Sequence, residues 1–352
     1  MSARLYLDWN ATVPLRDEAR AAMTLAMDVI GNPSSVHSEG RAAKALMERA
    51  REEISAAFGA DGADLVFTSG TTEASALALA GRGLHCGGVE HSAVSAWCHE
   101  VLPVSGEGRV TVTDPGQSTL QLANPETGIV QDLPEGLAVS DLTQGMGKLP
   151  VAFNWLGCDM GLVSAHKFGG PRGIGALFLK RGLDVEAKLK GGGQEMGRRS
   201  GTENLIGIAG MAAAARAAAR DLADGTWEEV ARIRDILESA LFAGTEGIIS
   251  GGIISPSKGQ ARLPNTLCIV APGWKGETQV MAMDLAGFAV SAGSACSSGK
   301  VRGSKVLGAM GYGDQAGHMI RISIGPGVSE ENVLRFAEAW TRAYGKARAR
   351  AA

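Results

Sequence analysis

The sequence lacks the features that mark membrane and secreted proteins. In its 352 residues, no apolar run approaches the roughly 20 residues that a transmembrane helix needs. No signal-peptide pattern opens the chain, because Asp8 interrupts a short mixed run. We therefore expect a cytoplasmic protein that contacts no membrane.

Paired cysteines and an excess of charge are also missing. The five cysteines are scattered and include no CxxC pair, which argues against a disulfide framework and against a zinc site. The net charge of −3 gives no reason to expect nucleic acid as a partner. Four of the cysteines are most simply small buried hydrophobes, whereas Cys296 has a different setting, described below.

The sequence does contain short apolar strands that alternate with amphipathic helices, which predicts an α/β fold. The length suggests about two domains. A stretch rich in Gly, Ser and Pro near residues 251–262 is typical of a connection between domains. We predict a large domain over residues 15–255 and a small domain formed by residues 1–14 and 256–352. Predicted helices cover 38–58, 72–80, much of 203–242, 277–285 and 329–347, and predicted strands cover 65–67, 174–179, 266–270 and 319–324.

One lysine lies in a setting that favours chemistry. Lys167 follows a predicted strand and precedes a Gly-Gly-Pro turn, which lets a bulky ligand approach the backbone. A lysine that is partly desolvated in such a pocket has a lowered pKa and can form a Schiff base. Pyridoxal-phosphate chemistry needs that lysine, an acid at the pyridine nitrogen and a phosphate site. The alternative is a solvated surface lysine, which is the commoner case.

Candidates for the acid and the phosphate site lie upstream. Asp141 ends a predicted strand, at the sheet edge where ligands of open α/β sheets bind; the alternative is a turn or N-cap aspartate. Thr71 and Thr72 join a strand to a helix, where free N–H groups and the helix dipole favour an anion. An ordinary threonine-capped helix is the alternative there.

Three further side chains suit a reaction site. His91 could stack on a cofactor ring, although a lone histidine is usually structural or exposed. Cys296 is surrounded by small residues, so its loop packs little and suits a travelling nucleophile; a buried cysteine in a small-residue strand is the alternative. Arg321 lies inside an apolar strand and needs a partner. That partner is a substrate carboxylate, held bidentately, or a carboxylate of the protein.

Short motifs follow one another along the chain in the order of a known family. They are residues 8–12, 31–35, 68–73, 90–91, 126–128, 141–144, 164–167, 199–202, 263–266 and 294–296. In this order the sequence resembles the cysteine desulfurases of iron–sulfur cluster assembly, in the class V aminotransferase group of pyridoxal-phosphate enzymes. The long segment between Cys296 and Arg321 resembles the branch that serves general or nitrogen-fixation cluster assembly.

The resemblance implies a fold and a cofactor. The fold is the type I fold of pyridoxal-phosphate-dependent transferases, with a large mostly parallel-sheet domain and a smaller α/β domain that carries the Cys296 loop. The cofactor is pyridoxal 5'-phosphate. Lys167 holds it and shuttles protons, Asp141 pairs with the pyridine nitrogen, Gln144 binds the ring oxygen and His91 stacks on the ring.

The resemblance also implies phosphate and substrate ligands. The phosphate is bound by Thr71, Thr72, Ser164 and His166, with Thr202 reaching in from the other subunit of a homodimer. Arg321 and Asn124 bind L-cysteine. Cys296 takes the substrate sulfur as a persulfide and alanine is released. A sulfur-acceptor protein, such as an iron–sulfur scaffold, is the expected partner, and a transient contact of Cys296 with a cluster is the only metal contact expected.

The sequence departs from the family pattern at several positions. Pro125 replaces the usual second Asn and cannot donate a hydrogen bond, which leaves Gln144 to bind the ring oxygen alone. Ala76 replaces another usual Asn. The segments between His91 and Asn124 and between Gly128 and Leu137 are short, and a crossover helix is missing from the second.

These departures keep two alternatives open. One is another enzyme of the same class, such as a selenocysteine lyase or an aminotransferase; an aminotransferase has no use for a mobile thiol at Cys296. The other is a divergent, weakly active or non-catalytic sulfur carrier or scaffold, for which Pro125 and the missing helix are the motivation.

Overall fold

A computed structural model describes residues 4–248, 252–293 and 303–351. The described residues form nine α-helices: α1 (Asp17–Ala26), α2 (Ser38–Ala57), α3 (Thr71–Leu79), α4 (Ser92–Ser95), α5 (Leu205–Ala223), α6 (Thr226–Thr245), α7 (Gly276–Leu285), α8 (Lys305–Ala309) and α9 (Glu330–Ala351). They also form ten strands: β1 (Leu5–Tyr6), β2 (Asp64–Thr68), β3 (His85–Gly87), β4 (His99–Leu102), β5 (Ser140–Asp141), β6 (Met160–Ser164), β7 (Gly175–Leu179), β8 (Thr266–Val270), β9 (Phe288–Ala289) and β10 (Met319–Ser323).

The central sheet has the strand order β2-β7-β6-β5. β7 runs antiparallel to both of its neighbours, whereas β5 and β6 are parallel. Single bridges from Thr119 to Val139 and from His85 to Ser118 continue the sheet in parallel to β3 and β4. Among the described strands of this sheet, β7 alone therefore opposes the common direction.

Both faces of this sheet are covered, as expected for a mostly parallel sheet. Alternate residues point to opposite faces because the side-chain period of a strand is two. On β2, Leu65 and Phe67 join the core formed with α1, α2 and α5, whereas Val66 joins the core formed with α3 and α4. The sheet is thus fixed between two helical layers, and its strand ends are left to form a site.

A second unit packs around its own core. β8 and β10 pair antiparallel, and β1 pairs parallel with β9. The core between these strands and helices α6, α7 and α9 contains Phe336, Trp340 and Tyr344, all fully buried. The N-terminal residue Leu7 belongs to the same core, which is consistent with a small domain that combines both ends of the chain.

Helix α6 bears on the predicted domain boundary at residue 255. Its buried residues, among them Trp227, Leu237 and Leu241, pack into the second core and not onto the central sheet. Gly225, with φ of 72°, separates it from α5, which packs on α1 and α2. From this packing we propose the boundary at Gly225, because a helix belongs with the core that buries its apolar side.

The two segments that are short in the sequence, between His91 and Asn124 and between Gly128 and Leu137, contain little regular structure. Residues 129–139 contain no helix; a turn at 135–136 and two single bridge residues, Leu137 and Val139, lead into β5. Between β4 and Asn124 the chain forms only a short hairpin around residues 104–110 and one 3₁₀ turn at Pro115–Gln117. Across the described ranges, no helix is both long and apolar enough to cross a bilayer.

Candidate active site

The predicted site residues lie around the carboxyl ends of the central strands. Asp141 is the last residue of β5 and Ser164 is the last residue of β6. Lys167 lies on a 3₁₀ turn that directly follows β6. The loop after β2 leads into α3 at Thr71. Because the carboxyl ends of parallel strands meet at one edge, four separate segments converge there.

Lys167 reaches from this edge to the N-terminal segment. Its Nζ donates to the backbone oxygens of Asn10 at 2.7 Å and Ala11 at 3.0 Å. The turn that places it is tight: Gly169 has φ of 90°, and a Cβ there would lie 2.6 Å from Arg16 Cγ. The glycine that the sequence offered as room for a ligand is therefore needed first for the close approach of Arg16.

Gln144 lies beside the Lys167 amine. Its side chain is buried, and its Nε2 donates to the same Asn10 backbone oxygen at 3.0 Å. Since both donors share one acceptor, the two side chains are neighbours. This is the position from which Gln144 can contact a group bound at Lys167.

Asp141 and His91 belong to the same cleft. Asp141 is buried and accepts a hydrogen bond from Thr143 N at 2.9 Å. His91 Nδ1 accepts from Ala93 N at 3.1 Å, so this nitrogen carries no proton. Although His91 is exposed, partial desolvation lowers its pKa; the nearby Asp141 opposes this shift and Lys167 adds to it. The ring is therefore neutral at pH 7.

The start of α3 has the features of an anion-binding site. The N-cap residue of α3 is Gly70, which has no side chain to cap the helix. The first N–H groups of α3 are therefore left to bind a ligand. Gly70, with φ of 151°, precedes it, and a Cβ at Gly70 would lie 3.4 Å from Ser164 Oγ. The Thr71 and Thr143 hydroxyls are 2.7 Å apart, and Thr72 is exposed. A helix N-terminus with hydroxyls around it suits a phosphate.

His166 stands on the same side of the site. Its Nδ1 lies 3.2 Å from Thr12 Oγ1. Desolvation, together with the positive charges of Lys167, Arg172 and Lys148, lowers the pKa of His166 to about 4. The imidazole is neutral at pH 7 in the structure, and an anion bound beside it would raise this pKa.

Arg321 has a protein carboxylate as its partner, one of the two alternatives that the sequence left open. Its Nη2 lies 2.8 Å from Asp8 Oδ1, and its Nη1 donates to the Pro125 backbone oxygen at 3.1 Å. Arg321 Nε is buried, and among the described residues it has no hydrogen-bond partner. The guanidinium therefore keeps an unused donor.

Asn124 is more engaged than its predicted role requires. Its Nδ2 donates to Val89 O at 3.0 Å, and its Oδ1 accepts from the backbone N–H groups of Glu126 and Thr127, both at 2.9 Å. These bonds fix the loop that carries Pro125. Its contact with substrate stays a prediction.

Two predicted residues are less constrained by the structure. Thr202 is exposed, on the segment between Arg199 and α5. Arg199 binds Glu73 of α3 at 2.8 Å, which anchors this segment next to the anion site. Cys296 lies outside the described residues, so its role rests on the sequence.

The sequence reasoning missed Asn10 and Lys148. Asn10 contacts Lys167, Gln144 and Lys148 as well as the second unit, through Thr266 Oγ1 at 2.8 Å and Asn265 Nδ2 at 3.0 Å. The signal was available, because Asn10 lies in one of the matching motifs. Lys148 gave no signal, since nothing local shows that a lysine in a turn is buried.

Comparisons with known proteins show the family of this chain. The sequence matches the family described as aminotransferase class-V over residues 5–97 and 119–336. It is 35% identical to a cysteine desulfurase of Cereibacter sphaeroides, over 95% of this chain and 94% of that protein. It is 34% identical to the cysteine desulfurase IscS of Dictyoglomus turgidum, over 95% and 92%.

A solved structure gives the same result for the fold. The NifS-like protein of Rickettsia africae superposes with a TM-score of 0.85 at 29% identity, over 97% of this chain and 99% of that one. The chain belongs to the class V aminotransferase family. Its relatives within that family are cysteine desulfurases, and its fold is theirs: a large mostly parallel-sheet unit with a smaller α/β unit.

Proposed function

We propose that this protein is a pyridoxal-phosphate-dependent cysteine desulfurase, which converts L-cysteine to L-alanine and keeps the sulfur on Cys296. The observation that carries the proposal is the Lys167 amine beside Gln144, at the sheet edge where Asp141 ends β5 and the uncapped helix α3 begins. The match to cysteine desulfurases over 95% of the chain supports the same activity.

The residues present fit the cofactor. Lys167 would supply the amine that holds its aldehyde, and Asp141 would pair with the pyridine nitrogen. Gln144 would donate to the ring oxygen, and the neutral His91 would stack on the ring. The start of α3, with Thr71, Thr72, Ser164 and His166, takes the phosphate. Pyridoxal phosphate, when bound, supplies an electron sink that stabilises negative charge next to the substrate α-carbon.

The substrate carboxylate goes to Arg321. Among the described residues, Arg321 Nε has no hydrogen-bond partner, so this N–H group is left to donate to a ligand. Arginine binds carboxylates through two parallel hydrogen bonds. Asp8 holds the side chain in place from one side. Asn124 supports the adjacent loop, whose Pro125 carbonyl accepts from Arg321. Substrate binding therefore adds a second carboxylate to an arginine that is already oriented.

The sulfur step belongs to Cys296. Its thiolate attacks the substrate sulfur, and a sulfur–sulfur bond forms. The bond between that sulfur and the substrate Cβ breaks with its electron pair left on carbon, which takes a proton to become the methyl group of alanine. Lys167 is the group placed to move protons at the α-carbon. The persulfide then passes its sulfur to an acceptor protein, such as an iron–sulfur scaffold.

A homodimer completes the site in this proposal, because Thr202 is expected to bind the phosphate of the partner subunit. A surface for it exists between α1 and α2, where four large apolar side chains are exposed: Leu25, Met27, Ile30 and Val36. Exposed apolar patches of this kind mark protein interfaces. We place the enzyme in the cytoplasm.

The first test is covalent attachment of the cofactor. Purified protein is mixed with pyridoxal phosphate, reduced with borohydride and digested, and the labelled peptide is identified by mass spectrometry. We expect the label on Lys167 and its loss in Lys167→Ala. The Lys180→Ala variant, which changes a half-buried lysine paired with Asp159, should keep it. A label on other lysines, equal in wild type and Lys167→Ala, would refute the cofactor site.

A further inference from the structure

Lys148 is a lysine that the reaction does not use, and it is almost completely buried. Its exposed fraction is 1%, which places it among the largest fully buried side chains. It lies in the turns that follow β5, four residues after Gln144. Burial lowers the pKa of Lys148 well below its usual value, and the positive charges of Lys167 and Arg321 lower it further. Burying an amine costs free energy unless the amine is hydrogen-bonded.

The amine contacts two carboxamides by their oxygens. Lys148 Nζ donates to Gln144 Oε1 at 2.7 Å and lies 3.4 Å from Asn10 Oδ1. An amide group has an oxygen end and a nitrogen end that differ only in hydrogen bonding. A donor on one side therefore decides which end turns the other way.

The remaining contacts agree with this orientation. Gln144 Nε2 points to the Asn10 backbone oxygen, which also accepts from the Lys167 amine. Asn10 Nδ2 faces two acceptors, the backbone oxygen of Pro125 at 3.1 Å and Thr266 Oγ1 at 2.8 Å. With Lys148 as donor, both amides turn their nitrogens away from it, and Gln144 turns its N–H donors toward Lys167.

We propose that Lys148 is a positioning residue that locks the Gln144 carboxamide with its nitrogen toward the Lys167 amine. The inference rests on the proposed function, because the group that Gln144 meets there is the cofactor's ring oxygen. Pro125 makes the lock more important. It replaces the usual Asn of the family pattern and cannot donate a hydrogen bond. Gln144 must therefore supply the donor to the ring oxygen alone.

The test uses the absorption spectrum of the protein loaded with pyridoxal phosphate, followed as a function of pH. In Lys148→Met, a side chain of similar length without a donor leaves Gln144 free to turn over. We expect the pH midpoint of the bound-cofactor band to shift by about half to one pH unit, the size that one hydrogen bond contributes. Two charged groups act on Lys148, namely Lys167 and Arg321. Both are unchanged in this variant.

Two further variants separate positioning from a merely structural role. Lys148→Gln keeps a donor and should retain a midpoint nearer to wild type than Lys148→Met does, with circular dichroism confirming that both fold. In a Gln144→Ala background, Lys148→Met should cause no further shift, because the amide through which it acts is gone.

An unchanged midpoint in folded Lys148→Met would overturn the inference, as would a full shift that persists in the Gln144→Ala background. Neither result would affect the proposed function, since the wild-type band and its activity stand independently. A wild-type protein without a cofactor band would overturn both.

Discussion

At the scale of single residues, Arg321 pairs with Asp8 and, in the proposed function, also with the substrate carboxylate. Replacing it by lysine keeps the charge facing Asp8 but removes the planar fork that binds a carboxylate through two bonds. In Arg321→Lys we expect the KM for L-cysteine to rise about 10- to 100-fold, equivalent to roughly 1.4–3 kcal/mol. The cofactor band should be preserved.

Steady-state kinetics check this prediction, with Arg262→Lys as the matched control. Arg262 is also a mostly buried arginine paired with a carboxylate, that of Glu238 at 2.6 Å, but it lies on the α6 side of the second unit. A KM that stays unchanged in Arg321→Lys would show that the substrate carboxylate binds elsewhere.

His166 predicts a pH dependence for the protein without cofactor. Its pKa in the folded state is about 4, below the roughly 6.5 of an unfolded histidine. Between these values the unfolded chain binds a proton that the folded chain does not. Stability therefore falls as pH drops from about 6.5 to 4, by at most about 1 kcal/mol per pH unit for this partly exposed group.

The variant His166→Gln keeps a hydrogen-bonding group near Thr12 and removes the titration. We expect its melting temperature to decline less steeply than that of wild type across this pH window, whereas the exposed His99→Gln should follow wild type. Parallel curves for His166→Gln and wild type would contradict the role of desolvation at His166.

At the scale of elements, the start of α3 depends on Gly70. Its φ of 151° and ψ of −178° lie in a region that only glycine adopts easily, at a cost of about 1–3 kcal/mol for other residues. Gly70→Ala should lower the affinity for pyridoxal phosphate about tenfold or more, because the first N–H groups of the helix change direction.

Gly81→Ala is the control for the strain itself. Gly81 also has a positive φ, 82°, and a Cβ there would meet nothing within 4 Å. This variant should lose some stability and keep its affinity for the cofactor, as measured by titration of the absorption band. Equal losses of affinity in both variants would mean that strain, and not the anion site, explains the effect.

Elements with a strong local pattern could be predicted closely from the sequence. The predicted strand 266–270 is β8 and the predicted helix 277–285 is α7 to within one residue. Helix α2 begins at Ser38, the first residue of the predicted helix 38–58, and His37 is its N-cap, accepting from Gly40 N. The sequence did not predict that α5 and α6, on either side of Gly225, pack into different cores. The apolar pattern of α6 shows that one side of the helix is buried, but it does not show which core buries that side.

The site was predictable only where residues carry recognisable chemistry. Lys167, Asp141 and Thr71 were predicted from strand ends and turn chemistry, and the structure brings them to one sheet edge. The contacts of Asn10 with Lys148 and Asn265 join positions 138 and 255 residues apart, and no local pattern contains them. Such long-range hydrogen bonds follow from the completed fold.

At the scale of the whole molecule, the exposed apolar side chains between α1 and α2 predict the homodimer. A double variant, Ile30→Glu with Val36→Glu, changes side chains that are 78% and 88% exposed, so the monomer should fold normally. We expect it to sediment as a monomer, with weaker cofactor binding because Thr202 of the partner is lost.

Leu285→Glu is the control for this experiment. Leu285 is 90% exposed at the end of α7 in the second unit, and its replacement should leave the dimer intact. A double variant that remains dimeric would place the interface elsewhere, and a monomeric wild type would remove Thr202 from the phosphate site.

The central claim is that sulfur leaves L-cysteine through Cys296. The most direct measurement is the yield of alanine and sulfide together, with a thiol reductant, from three cofactor-loaded proteins: wild type, Cys296→Ala and the control Cys98→Ser. The control changes a partly buried cysteine just before β4. The account predicts equal yields of alanine and sulfide in wild type and Cys98→Ser, and loss of both in Cys296→Ala. Undiminished alanine in Cys296→Ala, or amino transfer in place of alanine in wild type, would contradict it.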